Sequence, residues 1–181
     1  MLFSFLYVST RESSPMEYTS EQLNYFRLCY IAFNLIPEGL RKVFKQEWDF
    51  LYKTTSLGEW RDTPHSGLQF YNNESRKSHT KNARFLATIK NGNTTEWDCT
   101  CLFFSILYSD SIGNTLSPVV KTHVDDLRQV RNGIAHISEA EVNDADFQHR
   151  VGIVTAAFTS LNLPISNVEV IRTKPTFPRQ K

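Results

Sequence analysis

The sequence predicts an all-α protein, and three observations support this prediction. Apolar residues recur at helical spacing in several stretches, helix-capping residues precede those stretches, and no segment has the alternating pattern of a convincing strand. Apolar residues make up 40% of the 181-residue chain and aromatic residues 13%, which is enough for a substantial core. We therefore expect a bundle of about five main helices in one domain.

The first helix is predicted from a cap and the second from a proline. Thr19 and Gln22 have the spacing of a capping box, in which each side chain binds the other residue's backbone N–H. A broad apolar face follows over 23–33. We expect Asn34-Leu35-Ile36-Pro37 to interrupt the helix, because proline suits the first turn of a new one. The second helix should then span about 38–53.

A long loop is predicted after the second helix, and a basic cluster follows it. Residues 54–78 show little periodicity, and we expect at most short helical turns around Trp60 and Phe70. A short helix is then predicted over 81–90. The basic cluster that leads into it consists of Arg76, Lys77, Lys81 and Arg84, with His79 among them. These cations could bind RNA phosphates, but a solvated polar face is the commoner explanation and the one we favour.

Three further helices are predicted from caps and apolar stripes in the second half of the chain. They span 93–108, with Thr94 or Thr95 as the cap, then 119–137, and then about 144–161. Ser117-Pro118 opens the middle one of these helices, and Asn143 or Asp144 caps the last.

The predicted domain is flanked by two segments of different composition. Residues 1–18 are expected to be a flexible lead-in, 19–163 the helical domain, and 164–181 a basic, poorly ordered tail. The apolar start, Met1 to Val8, is too short to span a bilayer, and it lacks the positive charge and cleavage site of a signal peptide. We therefore expect no membrane partner, and we interpret this start as a docking tail or a fragment edge.

Charge and cysteine content narrow the classes of function. The net charge of +1 gives no overall attraction to nucleic acid or to anionic membranes. Cys29, Cys99 and Cys101 are too few and too irregular for a disulfide framework, which favours a reduced, cytoplasmic location. The Cys-x-Cys pair could bind a metal, but it lies in an apolar run without a second pair. Buried thiols are the better interpretation, and we expect neither metal nor cofactor.

The residues most indicative of function are Arg131, Asn132 and His136, late in the predicted helix 119–137. Arginine and histidine together can bind a phosphate and transfer a proton. On an ideal helix, however, Arg131 and His136 point about 140° apart, so one straight helix does not direct both at one small target. Cleavage of RNA through its 2′-hydroxyl needs both a base and an acid. Two copies related by a two-fold axis would supply two histidines and two arginines.

The same residues also fit an ordinary helix surface. Arg128 can pair with Asp125, Arg131 can extend its charge out from an apolar face, and His136 is favourable near a helix C-terminus. Asn132 can face water. Spacing and composition alone leave both interpretations open, and short motifs often match by chance.

Several motifs, taken in order, resemble the HEPN domains, which are all-helical modules. The strongest is the run from Asp126 to His136, which contains the Arg-x4-His signature. The others are Gly39-Leu40-Arg41-Lys42-Val43-Phe44, Trp97-Asp98 and Asp144-Ala145-Asp146-Phe147. The wider match resembles the HEPN type found in the DAZ-interacting zinc-finger ubiquitin ligase, and the resemblance covers about residues 19–163.

The resemblance implies a HEPN-like helical bundle and one of two functions. Many HEPN domains are dimeric, metal-independent endoribonucleases, which would make Arg131 and His136 catalytic and let Asn132 position the histidine or the phosphate. Others serve dimerisation or RNA binding. The resemblance thus implies a homodimer, with RNA or with protein partners in innate-immune or ubiquitin-ligase assemblies. The chain would be a stand-alone protein or a fragment.

Overall fold

The all-α prediction is confirmed for residues 18–177, the part of the chain that the computed structural model describes, where no strand occurs. The expected lead-in, except for Tyr18, and the last four residues lie outside this part. The α-helices are α1 (Ser20–Tyr30), α2 (Ile36–Tyr52), α3 (Pro64–Asn73), α4 (Arg76–Lys81), α5 (Ala83–Ile89), α6 (Cys99–Phe103), α7 (Pro118–Ala135), α8 (Asp144–Ser160) and α9 (Ser166–Arg172). Two π-helical segments, Ile31–Leu35 and Phe104–Tyr108, and a 3-10 turn, Thr94–Glu96, complete the order.

The predicted interruption at residues 34–37 is wrong, because α1 continues into α2 through the π segment Ile31–Leu35. The capping box of Thr19 and Gln22 is confirmed at the start of α1. At the other end of the π segment the Ile36 N–H donates to the carbonyl of Ile31, five residues back. The wider turn accommodates Pro37, whose ring lacks an N–H and would collide with the preceding turn of a regular α-helix.

The predicted long loop over 54–78 is also wrong, since it contains α3 and the start of α4. Thr63 caps α3 by accepting from the Ser66 N–H, and Pro64 occupies the first turn. The backbone at the start of α3 lies very close to the backbone at the end of α5 and just after it, and two glycines make this approach possible. A Cβ on Gly67 would lie 2.4 Å from the carbonyl oxygen of Ile89, and one on Gly92 would lie 1.8 Å from that of Thr63. Only glycine fits such contacts, which a search for apolar periodicity does not detect.

Two predicted helices are each divided in the structure. The helix expected over 81–90 is replaced by α4 and α5, which are separated at Asn82. The helix expected over 93–108 becomes the 3-10 turn, α6 and the second π segment. Asn93 caps the 3-10 turn in place of Thr94 or Thr95, and Asp98 caps α6 by accepting from the Cys101 N–H at 2.7 Å. Each side-chain cap starts a new helical segment within the predicted helix.

The caps of α7 and α8 agree with the sequence, but the chain after them does not. Ser117 caps α7 and Asn143 caps α8, while α7 ends at Ala135 rather than at Ile137. The expectation of a poorly ordered tail from residue 164 is wrong for α9, where Val168 and Ile171 are buried. Because α9 packs on α1 and on the first π segment, it belongs to the same body as the predicted domain.

An aromatic cluster joins α2 to the segments that follow it. Its rings lie 4.7 to 6.4 Å apart between centroids, mostly in edge-to-face or tilted arrangements. The members, all buried, are Phe44, Trp48, Trp60, Phe70 and Trp97. None of the helices within residues 18–177 is long and apolar enough to cross a membrane.

A buried carboxylate fixes the junction between α3 and α4 against the chain that follows the second π segment. Glu74 is 5% exposed. Its Oε2 accepts from the Ser78 hydroxyl at 2.6 Å and from the Asp110 N–H at 3.1 Å. Its Oε1 accepts from the N–H and the hydroxyl of Ser111 at 2.9 and 2.7 Å. These four bonds satisfy the buried charge and anchor the chain directly after Tyr108.

We expect Glu74→Ala to lower the free energy of unfolding by about 2 to 4 kcal/mol, because buried donors would lose a charged acceptor. Urea denaturation measures this change. Glu38→Ala is the matched control: Glu38 is exposed on α2 and pairs with Lys42, so its loss should cost less than about 1 kcal/mol. Equal losses in the two variants would contradict this role of Glu74.

Candidate functional site

The buried face of α7 fixes the direction of each candidate residue. Val124, Leu127, Val130 and Ile134 are buried, and the helix packs mainly along α8. These contacts set the rotation of α7 about its axis, so that side chains between the buried positions point in defined directions. The three candidate residues therefore have three different environments.

Arg131 lies half-buried where α7 meets the first π segment. Its guanidinium carbon is 5.9 Å from the ring centre of Phe33, and its Nη1 donates to Oδ1 of Asn132 at 3.2 Å. Its Nε is buried and has no hydrogen-bond partner among the described residues. The charge lies close enough to Cys99 to oppose the effect of burial, which raises the pKa of that thiol to about 11. Arg131 is thus confined but retains unused hydrogen-bond donors.

Asn132 lines an open groove between α7, α5 and the segment from α6 to the second π segment. The groove has a volume of about 640 Å³. Arg128 and Asn132, four residues apart on α7, contribute to the lining, as do Lys81 at the end of α4 and Asn82 before α5. Asn132 therefore connects the Arg131 guanidinium, through its side-chain oxygen, with the lining of the groove.

His136 ends α7 and is exposed to solvent. Its backbone has left the helical conformation, with φ −101° and ψ 3°, so the helical face that the sequence predicted for Asn132 and His136 stops short of the histidine. No hydrogen bond within residues 18–177 joins His136 to Arg131 or Asn132. The described chain thus brings Arg131 and Asn132 together and leaves the imidazole separate and accessible.

Gly133, which lies between Arg131 and His136, allows a second guanidinium, that of Arg150, to approach α7. A Cβ at Gly133 would lie 2.6 Å from Nη1 of Arg150, so the absence of a side chain lets Arg150 of α8 lie against the α7 backbone. Arg150 is anchored by Asp146, with 2.8 Å between Nε and Oδ2. Glycine inside a helix is otherwise unfavourable relative to alanine. The structure adds a packing reason for it.

The predicted basic cluster is only partly associated with the groove. Its four cations are exposed, as expected for a solvated face. Lys81 lines the groove, whereas Arg76, Lys77 and Arg84 are not among the lining residues. The cluster is thus divided between the groove and the outer surface of α4 and α5.

Arg128 and Tyr108 are among the groove residues that were not identified as site residues from the sequence. Arg128 was explained only by its pair with Asp125, which the structure contains at 2.7 Å. This bond holds the pKa of Arg128 above its usual value, and the nearby Tyr108 hydroxyl contributes. The i, i+4 spacing of Arg128 and Asn132 could have indicated a shared face. Tyr108 comes from a distant part of the sequence, so only the fold reveals its position beside Arg128.

The thiols have the environment of core residues. Cys99 and Cys101 are buried, and burial raises the pKa of Cys101 to about 12. Cys29 is half-buried, and all three cysteines are free thiols. Within residues 18–177, no group of three or more His, Cys, Asp or Glu side chains is arranged to hold a metal ion.

Comparisons with protein-family models, curated proteins and solved structures find no match to this chain.

We expect the benefit of Gly133→Ala to depend on Arg150. Alanine is favoured over glycine inside a helix by about 0.5 to 1 kcal/mol, but here its Cβ would displace the Arg150 guanidinium. The free energy of unfolding should therefore rise by that amount in an Arg150→Ala background and by less in the wild-type background, as measured by urea denaturation.

Gly152→Ala is the matched control, since its Cβ would meet no atom within 4 Å. Its benefit should be the same in both backgrounds. A Gly133→Ala benefit that is independent of Arg150 would contradict the packing role.

Proposed function

We propose that this chain is a HEPN-like module that acts as a dimeric, metal-independent endoribonuclease. The observation that carries the proposal is the exposed imidazole of His136, which ends the same helix that holds the Arg131 guanidinium beside Asn132. The motifs that resemble HEPN domains support it, and so does the groove that Asn132 lines.

The proposed chemistry uses two copies of His136. One imidazole accepts the proton of the 2′-hydroxyl while the 2′-oxygen attacks the adjacent phosphorus, and the bond from phosphorus to the 5′-oxygen breaks. The second imidazole, in its protonated form, donates a proton to the departing 5′-oxygen. Arg131 stabilises the negative charge that builds up on the phosphate, and a 2′,3′-cyclic phosphate is left. A single histidine cannot be base and acid in the same step, so the site needs a second copy.

The surface beside Arg131 is suited to contact with a second copy. Phe33 is 50% exposed and Tyr30 38% exposed, and Phe33 faces the Arg131 guanidinium. Exposed aromatic side chains next to a charged site are typical of protein interfaces. A two-fold contact there would cover these rings and bring two Arg131 side chains towards each other.

The proposed location is the cytoplasm. The three free thiols are consistent with its reducing environment.

A second candidate function is a non-catalytic dimerisation or interaction module in innate-immune or ubiquitin-ligase assemblies. The half-burial of Arg131 favours it, because contacts to Phe33 and Asn132 are sufficient to explain this arginine as a packing residue. Such a module would keep its dimer or its partner binding after loss of His136 and would not cleave RNA.

We expect the wild-type protein to cleave single-stranded RNA in the presence of EDTA and to leave cyclic phosphate ends. His136→Ala and Arg131→Ala should each reduce the rate by about a hundredfold or more, since each removes a group that acts in the transition state. Gel analysis of labelled RNA measures the cleavage, and light scattering checks that the variants remain dimeric.

His65→Ala and Arg61→Ala are the matched controls, because both residues are exposed and lie outside α7. They should cleave at the wild-type rate. Undiminished cleavage by the His136→Ala and Arg131→Ala variants would contradict the catalytic roles of these residues. No cleavage of any RNA by the wild-type protein would favour the interaction module instead.

A further inference from the structure

The groove beside Asn132 has a lining unlike the average surface of this chain. The whole sequence is nearly balanced, with 20 basic and 19 acidic residues. Among residues 18–177, in contrast, the groove is lined by two cations, Lys81 and Arg128, and by no carboxylate. Asp125, which contacts Nε and Nη2 of Arg128, is not among the lining residues. An anionic ligand is therefore the chemical class that the groove favours.

Most of the remaining lining is aromatic or carries a side-chain amide. Tyr108 is 57% exposed at the groove, and Phe85 and Phe104 stack on each other with ring centres 5.0 Å apart and an interplanar angle of 19°. Three asparagines, Asn82, Asn114 and Asn132, add side-chain donors and acceptors. Aromatic faces bind bases by stacking, while amides recognise base edges. An acidic peptide would use the two cations but would not need these rings and amides.

We propose that this groove binds one nucleotide of a single-stranded RNA, with its base stacked on Tyr108 and its phosphate between Lys81 and Arg128. Asn132 lines the groove and is hydrogen-bonded to Arg131, so the bound nucleotide lies next to the phosphate that would be cleaved. The inference rests on the proposed function in one respect, namely that the bound strand is the substrate of Arg131 and His136. It assigns to that site a preference for unpaired RNA, because a base inside a duplex cannot stack on a side chain.

The fixed position of Tyr108 supports this assignment. Asp110 and Ser111, two and three residues after it, are held by the buried Glu74 carboxylate. An aromatic ring on an anchored segment loses less conformational freedom on binding than one on a free loop, which favours a stacking role. The volume of the groove, about 640 Å³, is within the usual range for small-ligand sites.

The test measures binding of a labelled hexanucleotide by fluorescence anisotropy, in the His136→Ala background so that the RNA stays intact. We expect Tyr108→Ala to weaken binding by about five- to a hundredfold, the usual effect of losing one stacked base, and Tyr108→Phe to restore it. Lys81→Gln and Arg128→Gln should each reduce the salt dependence of the affinity by about 0.7 in log–log slope, as expected for one lost phosphate contact.

Two variants away from the groove are the matched controls. Phe50→Ala removes a ring that is 84% exposed on α2, and Lys121→Gln removes a cation from α7 that does not line the groove. Both should bind RNA as the parent does. Weakening by Phe50→Ala equal to that by Tyr108→Ala would overturn the assignment of the base to Tyr108.

The outcomes separate this inference from the proposed nuclease activity. Binding that depends on Tyr108 without any cleavage by the wild-type chain would support the groove and reject the nuclease. Cleavage with an affinity unaffected by Tyr108→Ala would support the nuclease and overturn the groove. Displacement of the RNA by a short polyglutamate peptide, as effective as by unlabelled RNA, would also overturn the nucleotide assignment. A duplex of the same sequence should bind more weakly, and equal binding would count against the groove.

Discussion

The burial of one face of α7 is the constraint on which the candidate site depends. Val124, Leu127, Val130 and Ile134 hold the helix against the core and against α8, and this contact fixes its rotation. Arg131 is thereby directed towards Phe33, and Asn132 towards the groove. A rotation of α7 that reorganised these side chains would expose its apolar stripe, which the hydrophobic effect opposes.

The same constraint divides the functional groups of one chain among separate places. The Arg131 guanidinium lies in a confined site beside an exposed aromatic ring, while His136 stands at the open end of the helix. Asn132 lines the groove together with Lys81, Arg128 and Tyr108. A second copy would add another arginine and another histidine, which is why the proposal assigns the chemistry to the dimer and the recognition of unpaired RNA to the groove of each chain.

The sequence predicted the parts of this structure that depend on local chemistry. Thr19, Ser117 and Asn143 are caps because a side-chain oxygen next to an apolar stripe satisfies free N–H groups, and this needs no tertiary information. The continuous helix through Pro37 and the helix α3 were missed. The first depends on a π turn, and the second on backbone contacts of Gly67 and Gly92 with distant residues. Local patterns do not encode such contacts. At the site, spacing on an ideal helix predicts that Arg131 and His136 diverge, whereas in the structure α7 ends before His136. Tyr108 and Arg150 reach the site only through the fold.

The measurement that tests the central claim most directly is RNA cleavage by mixed dimers. Wild-type protein is mixed with an equal amount of His136→Ala protein, subunit exchange is verified by native mass spectrometry, and the initial rate is compared with that of wild type at the same total concentration. If the two histidines of a dimer serve one site, random pairing leaves about one quarter of the dimers intact, and the rate should fall to about one quarter. A rate of about one half would show that each chain acts alone and would contradict the account.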